Sequence, residues 1–153
     1  MAQNTKIEWC KHTVNLWWGC TKVHEGCDNC YAEALSHRWG NHVWGNDKPR
    51  KYIESAFSDL LKYQRFAKQT GEIHSIFIGS MMDIFEKPMP LIDNFGRKMF
   101  ADTGYLRHQL FTRYIHKTSN LLYLFLTKRG SNINKYILEE WNTNPPENVM
   151  FGI

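Results

Sequence analysis

Two runs of the chain admit few folds. "IHSIFIGS" (73–80) and "NLLYLFLTKR" (120–129) are β-branched, aliphatic and aromatic almost without interruption, and both end in polar residues. A strand that is apolar on both alternating faces has to be covered on both, as in a parallel sheet. Around these runs the pattern changes to a helical period. "IESAFSDLLKYQRFAKQTG" places Ile53, Phe57, Leu60 and Leu61 at helical spacings, with Phe66 beyond and Gly71 as the stop. "YAEALSHRWG" (31–40) reads as a short helix that begins after a cysteine and stops at Gly40. "SNINKYILEEWNTN" reads as a helix with Ser131 or Asn132 as N-cap. Residues 91–118 read as helix, turn and helix, interrupted by Gly96 and Gly104. Residues 41–52 and 81–90 read as polar or proline-bearing loops, 15–19 as a candidate first strand, and "NVMFGI" as a last one. The alternation predicts an α/β fold with a parallel sheet, in a single domain over 1–153. Its first part, 1–40, would be a cysteine loop and first helix, and 41–153 the β/α units. The final strand has no covering helix after it, which predicts a further C-terminal segment or a second chain beside it.

The chemistry concentrates in "WWGCTKVHEGCDNCYAE". Cys20, Cys27 and Cys30 follow a C-x6-C-x2-C spacing, and the fourth cysteine, Cys10, lies ten residues upstream. Two residues between thiols let a tight turn aim both sulfurs at one centre. Gly26, Asp28 and Asn29 suit the backbone angles of such a loop. No apolar h-region opens the chain and no stretch approaches the roughly 18 apolar residues of a membrane span. The expected compartment is therefore the cytoplasm, where clustered thiols are more often metal ligands or catalytic groups than disulfides. Structural zinc takes four ligands, and Cys10, His12, His24 and His37 are the candidates for a fourth. A 4Fe–4S cluster held by three thiolates keeps one iron open to a small molecule. Both readings stand on spacing alone.

The segment "TKIEWCKHTVNLWWGCTKVHEGCDNCYAE" closely resembles the opening of the three-Cys-motif phage-protein family, proteins of phages and bacteria related to the radical S-adenosylmethionine (SAM) enzymes. "IFIGSMMDIFEKPMP", "LLYLFLTKRGSNI" and "NVMFGI" resemble later family segments in the same order. The resemblance implies a partial (β/α) TIM-like barrel, truncated after about four strands. It implies a 4Fe–4S cluster on Cys20, Cys27 and Cys30. SAM would bind the open iron and be cleaved reductively to a 5′-deoxyadenosyl radical that starts chemistry on a substrate. On this reading Tyr31 packs against the cluster or the adenine, or serves as a core aromatic at the helix start. Ser80 and Asp83, at a strand's C-terminal end, hydrogen-bond the SAM amino group, with a loop-capping role as the alternative for Asp83. Lys128 and Arg129 meet a carboxylate or phosphate, or are a solvated strand end.

A second expectation, from another class, is a non-catalytic zinc-stabilised module. It would hold zinc through the three cysteines and Cys10 or His24, and contact nucleic acid through Trp39, Trp44, Tyr52 and Tyr63 interleaved with Lys48, Arg50, Lys51 and Arg65. A third is an inactive fragment of the family's fold. The net charge of +4 is compatible with a phosphate-bearing partner and decides nothing by itself.

Overall fold

The computed structural model describes residues 5–153, so that Met1–Asn4 of the cysteine-bearing N-terminal part lie outside the described residues. The chain opens with β1 (His12–Val14) and β2 (Trp17–Trp18). A 3-10 turn at Glu25–Cys27 leads into α1 (Tyr31–Arg38). β3 (Arg50–Tyr52), α2 (Ala56–Thr70) and β4 (His74–Ile78) follow. Next come the strands β5 (Pro90–Ile92) and β6 (Lys98–Asp102). α3 (Thr103–Gln109) then runs through a π-helical turn, Leu110–Tyr114, into α4 (Ile115–Lys117). β7 (Leu121–Leu126), α5 (Ile133–Tyr136) and β8 (Val149–Gly152) complete the chain.

β1, β4, β7 and β8 form one parallel sheet in that order. The fold is thus mixed α/β, and the strands lie in the sheet in the order in which they occur in the chain. The register aligns Val14 with Ile78, Ile78 with Phe125, and Leu126 with Gly152, so all four strands end along one edge. The second sheet is mixed, in the order β2-β3-β5-β6. β4 is largely covered on both faces, whereas β7 buries Leu121, Tyr123 and Phe125 on one face and leaves Leu122 and Leu124 half-buried and Leu126 exposed on the other, so the expected double cover is only partly met there. Ile76, Ile78, Leu121, Tyr123 and Phe125 have no exposed surface and meet Leu60 and Ala67 of α2 and Leu110, Phe111 and Ile115 of the α3–α4 helix. α2 buries the stripe Ala56, Leu60, Tyr63 and Ala67 and stops at Gly71, whose φ of +66° is the left-handed cap that glycine adopts without steric cost.

Five expectations are corrected. The first parallel strand is 12–14 rather than 15–19, and Trp17–Trp18 instead joins the second sheet. The 41–52 stretch is not all loop, because β3 pairs with β2 and β5. Residues 91–118 begin with a strand pair rather than a helix. Asp93 accepts from the backbone of Phe95 and Arg97 and turns the chain at Gly96, and inward Met99 and Ala101 alternate with outward residues along β6. The 131–144 helix is only short turns; Asn132 does stand at the N-cap position of α5, but its side chain donates to the Phe85 carbonyl and makes no cap bond. Trp44, Tyr63 and Arg50 are buried, so they are not available to stack on bases or meet phosphates. No helix among the described residues is long and apolar enough to cross a membrane.

The aromatic contacts make Phe125 the centre of the core. Its ring meets those of Phe85, Phe111, Tyr123 and Phe151 at centroid distances of 6.4, 5.8, 6.1 and 5.8 Å. Phe125→Ala is expected to cost about 3–5 kcal/mol in denaturant unfolding. At the other end of the sheet, buried His12 stacks on Tyr63 at 4.1 Å and shares a 2.9 Å hydrogen bond with His74, which also meets Lys11 and Glu72. Burial, with His74 and Lys11 adding to it, lowers the His12 imidazole to about 4. In the unfolded chain it protonates near pH 6.5. The neutral buried ring therefore contributes stability that is present above about pH 6.5 and lost as the pH falls towards 4. The urea midpoint should fall through that window, and His12→Phe, which keeps a ring against Tyr63, should flatten the fall.

Candidate functional site: a thiol-lined cavity at the sheet's C-terminal edge

The aligned strand ends create a ledge, and the cysteine loop folds over it. Gly19 makes the approach possible. Its φ is +118°, and a β-carbon there would stand 2.3 Å from the Val43 carbonyl oxygen and 2.6 Å from the Arg50 side chain. The 3-10 turn after it is capped by His24, whose Nδ1 accepts from the Gly26 N–H at 3.0 Å. That turn ends at Cys27, and Cys30 is the N-cap of α1.

Loop and ledge enclose a cavity of about 480 Å³. Its wall includes Cys20, Cys27, Cys30, Tyr31, Ser80, Asp83, Lys128 and Arg129. All eight site residues expected from the sequence therefore line one space. Four apolar side chains, Trp44, Phe77, Met82 and Leu126, complete much of the wall. Cys10, His12, His24 and His37 do not line it. Among the described residues no group of three or more His, Cys, Asp or Glu side chains is close enough together to hold a metal ion as it stands.

Each wall residue is held by a specific contact. Tyr31 donates its hydroxyl proton to the Ser80 carbonyl at 3.0 Å, so α1 is tied to the end of β4. Lys128 Nζ donates to the Gly26 carbonyl. Arg129 donates to Cys20 Sγ at 3.3 Å and to the Thr21 carbonyl, and from behind it meets Asp83 at 2.9 Å. The Asp83 carboxylate also accepts from Thr127 Oγ1 and from the backbone of Phe85 and Lys128. Its link to Phe85 is the two-residue Asx contact weighed for it in the sequence, and its remaining capacity goes to holding Arg129. Ser80 Oγ accepts from Asn15 Nδ2 at 2.9 Å, while Asn15 Oδ1 accepts from the Met81 N–H at 2.8 Å.

These surroundings set the thiols apart. Burial pushes Cys20 up to about 11, with Arg129 acting against it and Glu86 with it. For Cys27, burial is outweighed by backbone hydrogen bonds from Val23 and His24 and by the charges of Lys128 and Arg129, and the thiol lies below its ordinary value. Arg129 is itself held above the usual range, because Cys20 and Asp83 outweigh its burial. All four cysteines are free thiols.

Sequence reasoning missed the support beneath the cavity. Arg50 has no exposed surface and makes six hydrogen bonds: two to the Glu86 carboxylate at 2.8 and 2.6 Å, three to the carbonyls of Val43, Gly45 and Lys48, and one to Thr21 Oγ1. Glu86 lies 3.7 Å from Arg129, which joins the two ion pairs into one network. The available signal was a lone arginine in a segment with Gly and Pro, followed by a lone Glu after an apolar pair.

A family described as "Protein of unknown function (DUF5131)" matches residues 4–153. The chain belongs to this family. No curated protein matches it significantly, and no solved structure does. Membership in DUF5131 thus covers the cysteine loop and every wall residue of the cavity at once, and it attaches no chemistry to them.

Removing one partner of the Arg50–Glu86 pair leaves an uncompensated buried charge. Glu86→Leu is expected to cost about 3–5 kcal/mol in chemical denaturation. The double variant Arg50→Met/Glu86→Leu should recover only part of this, because the carbonyls of Val43, Gly45 and Lys48 then lose their donor.

Proposed function

We propose that the cavity houses a 4Fe–4S cluster on Cys20, Cys27 and Cys30 with S-adenosylmethionine beside it, and that this DUF5131 chain is a radical-SAM-like protein of phage or bacterial type. The observation that carries the reading is the convergence on one cavity of the eight residues from three separate stretches, 20–31, 80–83 and 128–129. Its volume is in the range of small-molecule sites. Its position, at the carboxyl ends of parallel strands, is where β/α folds bind ligands. The donor set suits the cluster. A single zinc ion needs four donors around one point, whereas each thiolate of a cluster binds a different iron, so the sulfurs stand apart around a space. The three thiols all line the cavity, no three His, Cys, Asp or Glu side chains among the described residues stand close enough to hold a single ion, and Cys10 is not among the wall residues. Three ligands leave one iron open.

When bound, the cluster supplies one electron to the sulfonium of SAM. The chain's own residues hold and shield. Arg129 orients Cys20 and favours its thiolate form through a charge-assisted hydrogen bond. Lys128 fixes the bend before Cys27, and Tyr31 fixes the helix start after Cys30. Ser80, which accepts from Asn15, keeps its own hydroxyl proton for an acceptor atom on the ligand. Asp83 acts through Arg129. Phe77, Met82, Trp44 and Leu126 exclude water. The in-order parallel strands fit a partial TIM-like barrel, and the free edge of β8, with Met150 and Phe151 exposed, is where a further segment or second chain would extend it.

Anaerobic purification should give a brown protein with about four irons per chain and a spectrum that changes on adding SAM. Alanine at Cys20, Cys27 or Cys30 should abolish the iron, and Cys10→Ala should retain it. One zinc per chain and no visible absorbance would refute the reading.

A further inference from the structure

The helices on the outer side of the sheet carry charge that the cavity does not use. α2 meets the α3–α4 helix at a seam where the rings of Phe57 and Tyr114 stack at 4.3 Å, and Gln64 exchanges two 2.9 Å hydrogen bonds with Asn120 in the turn after α4. This seam fixes which exposed side chains border it. On α2, Leu61, Arg65 and Lys68 follow at spacings of four and three beside the stripe of Phe57 and Gln64. On the other helix, Arg113 and Lys117 are four apart and flank Tyr114. All four cations are exposed, and none is in an ion pair among the described residues. Residues 103–118 contain no carboxylate side chain. The one acid in α2, Asp59, sits four residues before inward-facing Tyr63, away from the seam stripe. Glu54 and Glu72 stand beyond the two ends of α2, and Glu72 is already paired with Lys11 at 3.0 Å.

We propose that this seam binds the phosphate backbone of a single-stranded nucleic acid. Four like charges on neighbouring helices repel one another, and among the described residues no carboxylate pairs with any of them, Arg113 donating to the neutral Gln109 side chain at 3.1 Å. Cations in two rows suit a chain of phosphates better than one small anion, and Arg65 and Arg113 offer the planar forks that match phosphate oxygens. Between the rows, half-buried Phe57 and Tyr114 and exposed Leu61 give bases an apolar surface to rest on. This surface does not depend on the iron–sulfur reading, because no residue of the cavity takes part in it.

The test is fluorescence anisotropy of the full chain with a labelled 20-nucleotide single strand, at salt from 50 to 200 mM. Four phosphate contacts give a slope of log affinity against log salt of about −3, or roughly fifty-fold weaker binding across that range. The double variant Arg65→Gln/Lys68→Gln should about halve the slope at an unchanged melting temperature. Should the pair lower the melting temperature, Lys68→Gln alone should reduce the slope by about 0.7. Lys98→Gln/Lys135→Gln, the same charge change on exposed positions outside the seam, should leave it unaltered. The proposal is overturned by absence of binding at 50 mM salt. It is also overturned by an equal loss in the control pair, or by polyglutamate competing as well as the unlabelled strand, which would point to an acidic peptide instead.

Discussion

A fully buried guanidinium holds the site half of this molecule together. Arg50 sits where three pieces of irregular chain meet: the cysteine loop through Thr21, the 43–48 turn through three carbonyls, and the post-β4 loop through Glu86. Backbone bonds join these pieces at isolated points, from the Gly19 N–H to the Met81 carbonyl and from the Gly45 N–H to the Cys20 carbonyl, rather than by a continuous ladder. A guanidinium is suited to this position because its charge is permanent and its donors are arranged in a rigid planar fork. The single carboxylate of Glu86 balances that charge and leans towards Arg129, so the same network that fixes the loops also aims a second arginine at Cys20. The apolar core shapes the sheet, and this polar network shapes the space above it.

The two arginines illustrate a division of labour. Arg50 is saturated and faces inward, whereas Arg129 reaches the cavity wall while Asp83 holds it from behind. Buried ion pairs are weak sources of net stability and strong sources of fixed geometry when every donor is satisfied. Here the network reaches the cavity wall through the Arg129 contact to Cys20.

Much of the frame was legible in the sequence because it rests on local signals. The double-faced runs at 73–80 and 120–129 became β4 and β7, the period of 53–71 became α2, and the cysteine spacing marked the loop. The three motif cysteines, Tyr31 and the strand-end residues Ser80, Asp83, Lys128 and Arg129 line one cavity. What escaped was non-local or masked. Arg50 looks like a surface residue beside Lys48 and Lys51, and its burial depends on a Glu 36 positions later. The β5–β6 pair was hidden by glycines that read as breaks between helices. Its period-two alternation, Lys98 and Phe100 outward with Met99 and Ala101 inward, spans only five residues. The strand His12–Val14 is too short to carry a periodic signal at all.

The contacts that close the cavity join the two ends of the chain. Lys128 meets Gly26 across 102 positions, and Arg129 meets Thr21 and Cys20 across 108 and 109. Synthesis at about 5–20 residues per second separates these groups by roughly 5–20 seconds. During that interval the three thiols exist without the basic wall that they will border, so the cavity can close only after the chain's last third has been made.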